Sequence, residues 1–246
     1  TLGAVTGGNN TLTLTTENNI AGADVTASGA ISGVTTLTLA NVGGTATLSG
    51  DVDVTTLTVG NTVANVAFTG NGSSVTNAFT PANDGTFVFG ASGGTQTYNA
   101  GVATTSVGGT VTLNGTLASS NDGIQFGAVT LGSATIINTN ATNTDGDITF
   151  GAITGGSNAL TLSTGNNIAN ANITVSGAIS GLGNLTLANV GGTTSFAGAI
   201  SAAALSADNT VSNISFAGAS ASGNNYTFSG AANLANDGTL TFGNES

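Results

Sequence analysis

The sequence contains no lysine, arginine, histidine, cysteine, methionine or tryptophan, and only one proline. Because no side chain carries a positive charge, the chain cannot neutralise phosphates as nucleic-acid-binding proteins do, which excludes nucleic acid as a partner. The lack of His and Cys excludes Ser-His-Asp and Cys-His catalysis, thiolate zinc sites and disulfides. We therefore predict that the protein is not an enzyme and has no catalytic, cofactor-binding or metal-binding residues.

Charge is scarce, but apolar residues are not. Charged residues make up 4% of the chain and the formal net charge is −11, whereas about a quarter of an ordinary globular domain is charged. Hydrophobic residues still make up 39%, which is enough for a folded core. No run approaches the roughly 18 apolar residues of a membrane span, so we expect no membrane insertion.

Several features favour an extracellular setting. The first residues lack an initiator Met and a basic targeting region, so we expect a mature or excised segment. Surface polarity comes mainly from Thr, Ser and Asn, and the absence of Lys and Arg leaves no trypsin site. The absence of Cys is compatible with an oxidising exterior.

The strongest signal in the sequence is an internal repeat. Residues Gly3–Gly50 and Gly151–Gly198 align without a gap, and about two-thirds of the positions are identical. The match continues more loosely, which gives repeat copies over residues 3–90 and 151–243 and a non-duplicated middle over residues 91–150. The two copies and the middle have the same kind of sequence, so we predict a single solenoid domain spanning residues 1–246.

Within each copy, short triplets of apolar, polar and apolar residues recur between Gly-Gly, Ser-Gly and Asn-Asp-Gly turn signals. Such alternation with β-branched residues is typical of strands whose outer residues point inward and whose central residue faces solvent. No stretch has the apolar spacing of a helix. The triplets include Leu12-Thr13-Leu14, Leu37-Thr38-Leu39, Leu57-Thr58-Val59, Phe87-Val88-Phe89, Val111-Thr112-Leu113, Ile148-Thr149-Phe150, Leu160-Thr161-Leu162, Ile173-Thr174-Val175, Leu185-Thr186-Leu187, Ile214-Ser215-Phe216 and Leu240-Thr241-Phe242.

Equivalent strands recur about every 20–26 residues, within the range of known solenoids. We therefore predict an all-β parallel β-helix of ten or eleven coils, with a β-sandwich as the alternative. At about 4.8 Å per coil the rod would be on the order of 50 Å long. Like apolar side chains would stack from coil to coil, and the turn residues Asn18, Asn19, Asn166 and Asn167 could form amide ladders.

The sequences of several segments resemble those of a known class of proteins. The segments are Gly146–Ile153, Thr95–Asn99, Gly127–Gly132 and Leu160–Leu162, and they are similar to repeats of giant bacterial surface proteins, the filamentous-haemagglutinin-like and autotransporter-passenger adhesins. This resemblance covers nearly the whole chain. It implies a right-handed parallel β-helix that is secreted and serves in attachment or surface architecture.

Two acidic pairs, Asp51/Asp53 and Asp145/Asp147, would each place both carboxylates on one face of a strand. Paired carboxylates are the machinery of glycoside hydrolases, and oxygen ligands alone suffice for weak calcium binding. A solvated turn or strand edge is the interpretation that we favour for both pairs. The Asn-Asp-Gly segments beginning at Asn83, Asn121 and Asn236 are predicted to be turns with positive φ at Gly and an Asp cap.

Four further features have a structural interpretation. The Gly-Gly pairs that begin at Gly7, Gly43, Gly93 and Gly191 are predicted corners. Glycosylation sequons, including those at Asn71, Asn114, Asn140, Asn184, Asn213 and Asn225, arise readily in so Asn- and Thr-rich a chain. Outward Thr rows suggest ice binding, but coil lengths that vary by several residues argue against a regular lattice. The Phe residues are expected to stack in the core.

The alignment places Thr1-Leu2-Gly3 opposite Thr149-Phe150-Gly151, so the sequence begins in mid-strand, and it ends just after the strand Leu240-Thr241-Phe242. Uncapped ends that match in register would generate open filaments by end-to-end stacking, unless the chain is a segment of a longer rod. We therefore expect a structural extracellular β-solenoid that forms, or is part of, a self-associating surface fibre. The alternatives are an adhesin module that binds a host or carbohydrate ligand through a lateral face and, more remotely, a β-helix glycan hydrolase.

Overall fold

A computed structural model describes residues 1–143, 146–217 and 225–243. Within these ranges the chain forms 24 strands and no helix, and hence no helix with the length and hydropathy of a membrane span. The strands are β1 (Val5–Leu14), β2 (Val25–Ala27), β3 (Ile31–Leu39), β4 (Val42–Leu48), β5 (Val52–Val59), β6 (Val63–Phe68), β7 (Ser74–Val75), β8 (Phe87–Phe89), β9 (Thr95–Tyr98), β10 (Val102–Ala103), β11 (Val111–Ala118), β12 (Ile124–Phe126), β13 (Val129–Ala141), β14 (Ile148–Phe150), β15 (Ile153–Thr154), β16 (Leu160–Gly165), β17 (Ile173–Val175), β18 (Ile179–Ala188), β19 (Val190–Phe196), β20 (Ile200–Ala207), β21 (Val211–Phe216), β22 (Tyr226–Phe228), β23 (Ala232–Leu234) and β24 (Leu240–Phe242).

The described strands pair only in parallel and stack as about ten turns of a β-solenoid. This confirms the predicted all-β parallel β-helix and rules out the sandwich of antiparallel hairpins. Hydrogen bonding joins the strands into sheets of 17 and 7 strands. The larger sheet bends around corners within long strands such as β3 and β18, so the rod has three sides.

We call the three stacks of strands the first, second and third ladders. The chain climbs by visiting the second, third and first ladder in turn. The first ladder runs through Leu12, Leu37, Leu57, Phe79, Val102, Ile124, Ile148, Ile173, Thr194, Ile214 and Leu240. The second runs through Val25, Ala46, Val66, Phe87, Val111, Val129, Ile153, Ile179, Ile200 and Tyr226. The third has two in-register runs that overlap in β9, the lower through Val34, Val54, Val75 and Tyr98 and the upper through Gln96, Leu117, Ile137, Leu162, Leu187, Ala207 and Leu234.

Coil length varies while the strands remain in register. The step between paired residues is as short as 18, from Val111 to Val129, and as long as 27, from Leu205 to Ala232. This range is slightly wider than the one expected from the sequence. Turns and a few register shifts take up the difference, because moving a strand by one residue would turn its apolar side chains outward.

The triplets have the burial that their pattern predicts. Leu37 and Leu39 are fully buried, whereas Thr38 between them is half-exposed. Aromatic rings fill the centre of the rod, where Phe87 and Phe89 stack at 4.2 Å between centroids and Phe126 and Phe150 at 5.2 Å. The prediction that Phe residues stack in the core is thus confirmed, with an exception at the last coil.

Two of the Gly-Gly pairs were wrongly predicted to be corners. Gly43-Gly44 lies inside β4 and Gly191-Gly192 inside β19. A Cβ atom on Gly43 would lie 2.2 Å from the Ile20 carbonyl oxygen. Glycine is needed here because the loop of the preceding coil packs directly on the strand.

The Asn-Asp-Gly turns are also built differently from the prediction. Neither Gly85 nor Gly238 has a positive φ, and it is Asn83, fully buried, whose amide donates to the carbonyls of Gly85 (3.0 Å) and Thr86 (2.9 Å). Asn236 makes the matching bonds in the second copy. Gly85 is required by proximity, since a Cβ there would lie 2.5 Å from the Ala64 carbonyl oxygen.

The expected amide ladder of Asn18, Asn19, Asn166 and Asn167 does not form among the described residues. Asn166 instead donates to the carbonyl of Ala141, 2.9 Å away in the coil below. The two Asn pairs belong to different repeat copies and lie on coils that are far from each other, so they cannot stack on one another.

Thr194 is one of several polar residues buried among the apolar residues of the core. Thr194 occupies the first ladder between Ile173 and Ile214, is fully buried, and its hydroxyl has no hydrogen-bond partner. The equivalent residue of the first copy is Ala46. A buried hydroxyl without a partner destabilises a fold by about 1–3 kcal/mol.

We predict that Thr194→Val raises the free energy of unfolding by about 1 kcal/mol, because valine keeps the shape and removes the unpaired hydroxyl. Chemical denaturation measures the change. Thr193→Val, on the half-exposed side of the same strand, serves as the control and should gain clearly less. A Thr194→Val protein that is no more stable than the wild type would contradict this account.

Tyr98 and Gln96 form a polar pair inside the rod. The Tyr98 hydroxyl donates to Gln96 Oε1 at 2.9 Å, and Gln96 Nε2 donates to the carbonyls of Phe68 and Gly70 at 2.9 and 3.2 Å. Both side chains are buried. Burial raises the pKa of Tyr98 well above its usual value of about 10.

We predict that the unfolding free energy falls as the pH rises above about 10, because Tyr98 then ionises in the unfolded chain but stays protonated in the folded one. Tyr98→Phe should flatten this alkaline decline. At neutral pH it should cost about 1 kcal/mol, since Gln96 Oε1 loses its donor. Denaturation curves between pH 7 and 11 test both statements, and an equally steep alkaline decline in Tyr98→Phe would refute the first.

Candidate functional site

The acidic pair Asp51/Asp53 lies on the outside of the rod. Its members flank Val52, which is buried, so both carboxylates are on the outer side of β5 as predicted. Within the described ranges, no three acidic side chains come together as a metal site requires. Asp145 lies outside the described residues, so the second predicted pair is represented by Asp147 alone.

Asp147 is engaged in holding the next coil. Its Oδ1 accepts a hydrogen bond of 2.6 Å from the backbone N–H of Asn172, one coil above. Asn172 Oδ1 in turn accepts from the N–H of Thr193 at 2.9 Å, another coil higher. We call the residues at this edge, immediately before the strands of the first ladder, the Asx edge.

The Asx edge continues to the last coil of the described chain. Asn213 Oδ1 accepts from both the N–H (2.9 Å) and the hydroxyl (2.7 Å) of Thr239. The first copy has the same device before the strands of the second ladder. There Asp24 Oδ1 accepts from Thr45 N–H at 2.7 Å and Asn65 Oδ1 from Thr86 N–H at 3.0 Å.

The Asx edge therefore uses acidic and amide side chains interchangeably as acceptors for backbone donors of the neighbouring coil. Asp24 of the first copy corresponds to Asn172 of the second, so a negative charge is not what this position requires. Sequence reasoning missed the edge because its members are separated by a whole coil of the chain. The signal that could have found it is an Asp, Asn or Thr directly before each apolar triplet.

Grooves on the flanks are shallow and open. One of about 340 Å³ is lined by residues that include Gly101, Val102, Ile124, Gln125, Asp147 and Thr149. Phe79, which also contacts it, has no exposed surface, so the groove offers no aromatic platform for a sugar. A second groove of about 240 Å³ contains Asp53 among Thr and Ser side chains.

Threonine rows do form in the lower part of the rod, although coil length varies. Thr11, Thr36 and Thr56 pair in register, as do Thr13, Thr38 and Thr58, because variation in coil length is taken up outside the strands. The double row nevertheless covers only the first three coils. Higher on the same side the outward positions become Ala103 and Gln125, which interrupts the lattice.

The sequons fall into two groups. Asn114, Asn140 and Asn213 use their side chains in hydrogen bonds to the neighbouring coil. Asn71, Asn184 and Asn225 are exposed. Asn114 and Asn213 are half-buried, whereas Asn140 is exposed like the second group, so four of these six asparagines have the accessibility that glycosylation needs.

Two of the four large apolar side chains that are exposed on the described chain lie together at the upper end of the rod. Phe196, Phe216 and Phe242 stack on consecutive coils, with centroids 5.5 and 5.1 Å apart. Phe216, inside the stack, is 1% exposed, whereas Phe242 at its top is 62% exposed and Leu240 beside it 43% exposed. We call β22, β23 and β24 with these side chains the upper end face.

The lower end face consists of residues 1–16 and the loop that follows. There β1 pairs with β3 above it, and Leu2 bridges to Ala27. Leu2, Val5 and Leu12 are only partly buried against the core. A groove of about 270 Å³ opens on this face between Leu2, Leu14 and Val25. Among the described residues, both end faces therefore present strands that pair on one side only, together with apolar side chains.

Comparisons of the chain with protein-family models, with curated proteins and with solved structures find no match in any of the three. The resemblance to surface-adhesin repeats therefore stays a prediction.

We predict that Asn65→Ala lowers the free energy of unfolding by about 1 kcal/mol, because both the N–H and the hydroxyl of Thr86 lose their acceptor. Asn65→Asp should retain wild-type stability, since Asp24 and Asp147 accept the same type of bond. Asn61→Ala, at an exposed turn, is the control. Chemical denaturation separates these outcomes, and equal stabilities for all three variants would show that this bond between coils contributes nothing.

Proposed function

We propose that the chain is a structural element of an extracellular surface fibre, and that coils of a second copy stack on its end faces to lengthen the rod. The observation that supports this most strongly is the upper end face. Phe242 continues a stack of rings that is otherwise fully covered, and β24 pairs on one side only among the described strands. Open strand edges are templates for pairing with another chain.

The two end faces match in the phase of their side chains. On the first ladder the top strand is Leu240-Thr241-Phe242 and the bottom strand is Leu12-Thr13-Leu14. Stacking the second on the first would place apolar residues over apolar residues and Thr over Thr, as between Leu37-Thr38-Leu39 and Leu57-Thr58-Val59 inside the rod. Because one face is covered by the other, the contact is heterologous and generates an open filament.

The chemistry of such a contact is neutral. The chain has no cationic side chain, so two copies cannot be joined by ion pairs between side chains. The contact would consist of backbone hydrogen bonds and buried apolar area, neither of which is screened by salt. We therefore expect the fibre to resist both high and low ionic strength.

The alternative of lateral ligand binding has less support. The groove beside Gln125 and Thr149 offers few polar groups and no exposed ring. Glycan hydrolysis has less still, because Asp147 is used as an acceptor for backbone N–H and the described acidic side chains do not gather. A secreted location fits a chain without Lys, Arg or Cys that resembles surface-adhesin repeats.

We predict that the purified chain forms long threads in negative-stain micrographs, and that Leu240→Lys/Phe242→Lys leaves separate rods of roughly 50 Å. Two charges at the apolar contact would have to be desolvated without a partner, which is strongly unfavourable. Thr241→Lys changes the outward residue of the same strand and should still form threads. Short rods from the wild-type chain would refute end-to-end stacking. Loss of threads in the control variant Thr241→Lys would refute it as well.

A further inference from the structure

The two repeat copies lie on different sides of the rod. Leu12-Thr13-Leu14 belongs to the first ladder, where it pairs with Leu37-Thr38-Leu39. Its counterpart in the second copy, Leu160-Thr161-Leu162, belongs to the third ladder, where it pairs with β13 below and β18 above. Nearly identical segments therefore occupy different sides.

The other two ladders show the same displacement. Val25 lies on the second ladder, whereas its counterpart Ile173 lies on the first. Ile31 begins a strand of the third ladder, whereas its counterpart Ile179 lies on the second. Each side of the first copy thus maps onto the preceding side in the second copy, without exception.

The displacement follows from the length of the repeated unit. Going up the first ladder from Leu12, six complete coils lead to Ile148. The chain then passes Ile153 on the second ladder and reaches Leu160 on the third. The segment from Leu12 to Leu160 therefore forms six and two-thirds coils, and the second copy is turned by one side relative to the first.

The three sides are interchangeable because all of them place the same requirement on their strands. A triplet must bury its outer residues and expose its central one, and this holds for Leu160-Thr161-Leu162 as it does for Leu37-Thr38-Leu39. Since the core is filled by similar aliphatic and aromatic side chains on all sides, a segment can occupy any of the three sides.

We infer that residues Gly3–Phe150 are an extension module, which adds six and two-thirds coils each time it is repeated and turns everything above it by one side. Three modules would add twenty complete coils and return to the starting side. Its use in a fibre rests on the function proposed above: the flank of each module would then face three directions in succession, so that the fibre has no single adhesive side.

The junction for a further module already exists in the chain. An inserted module placed after Phe150 would set its residues 12–14 on β13, where Leu160–Leu162 now lie, and would carry Gly151 and the following residues on its own last coil. One position conflicts. Gly165 adopts φ +95, and a Cβ there would lie 2.6 Å from the Asn140 Cα, whereas the module has Glu17 at this position.

The test inserts Gly3–Phe150 bearing Glu17→Gly after Phe150, in the Leu240→Lys/Phe242→Lys background so that single rods are observed. The control repeats one whole coil between the two markers, residues 179–199, after Ala199. Cysteines replacing Thr58 and Ser215, both outward on the first ladder, are biotinylated and marked with streptavidin. Electron micrographs then report rod length and the sides on which the markers lie.

We expect the module to lengthen the rod by about 32 Å and the control by about 5 Å. The markers should lie on one side in the parent and in the control, on different sides after one inserted module, and on one side again after three. An unlengthened rod, or markers that stay on one side after one module, would overturn the inference.

The same module with Glu17 retained should unfold at a lower temperature than the Glu17→Gly version, and equal midpoints would remove the steric part of the argument. Absence of threads in the wild type would refute the proposed fibre and leave this result unaffected.

Discussion

The parallel hydrogen-bond ladder between successive coils is the constraint on which the rest of this protein depends. Each strand finds its backbone partners only in the coil below and the coil above, so no coil is complete by itself. In-register pairing then places Leu37 under Leu57 and Phe196 under Phe216, and the core follows as a stack of like side chains. Coil length is free to vary from one turn to the next because only the strands, and not the turns, must match.

This dependence explains which features could be predicted from the sequence. The triplets are local patterns of period two, and they gave the strand positions, the inward residues and the parallel coils correctly. The positions of Gly43 and Gly85 could not be predicted, because what selects glycine there is the backbone of the preceding coil at Ile20 and Ala64. The same holds for Asn83, whose buried amide was mistaken for part of an Asp-capped turn. These errors concern contacts between coils, and such contacts cannot be inferred from residues that are neighbours in the sequence.

Polar side chains of this protein form hydrogen bonds with its own backbone. Asp147, which belongs to one of the acidic pairs considered for catalysis, and Asn65 accept hydrogen bonds from backbone N–H groups one coil away. An Asp can replace an Asn at this edge because only an acceptor oxygen is needed. Of the two acidic pairs, Asp51 and Asp53 lie on the outer side of the rod, while Asp145 lies outside the described residues. The Asx edge itself went unnoticed, because its residues share one corner only after the chain has been wound.

A solenoid whose sides make equal demands need not grow by whole coils. In a rod with three different sides, a repeat of six and two-thirds coils would place every strand in a foreign environment and would be eliminated. Here the second copy tolerates the turn because Leu160–Leu162 meets the same requirement on the third ladder that Leu12–Leu14 meets on the first. Exceptions arise only where a loop of one coil contacts the backbone of another, as at Gly165 and Asn140. The sides of the rod are therefore distinguished by their loops, and the strands carry no information about the side on which they lie.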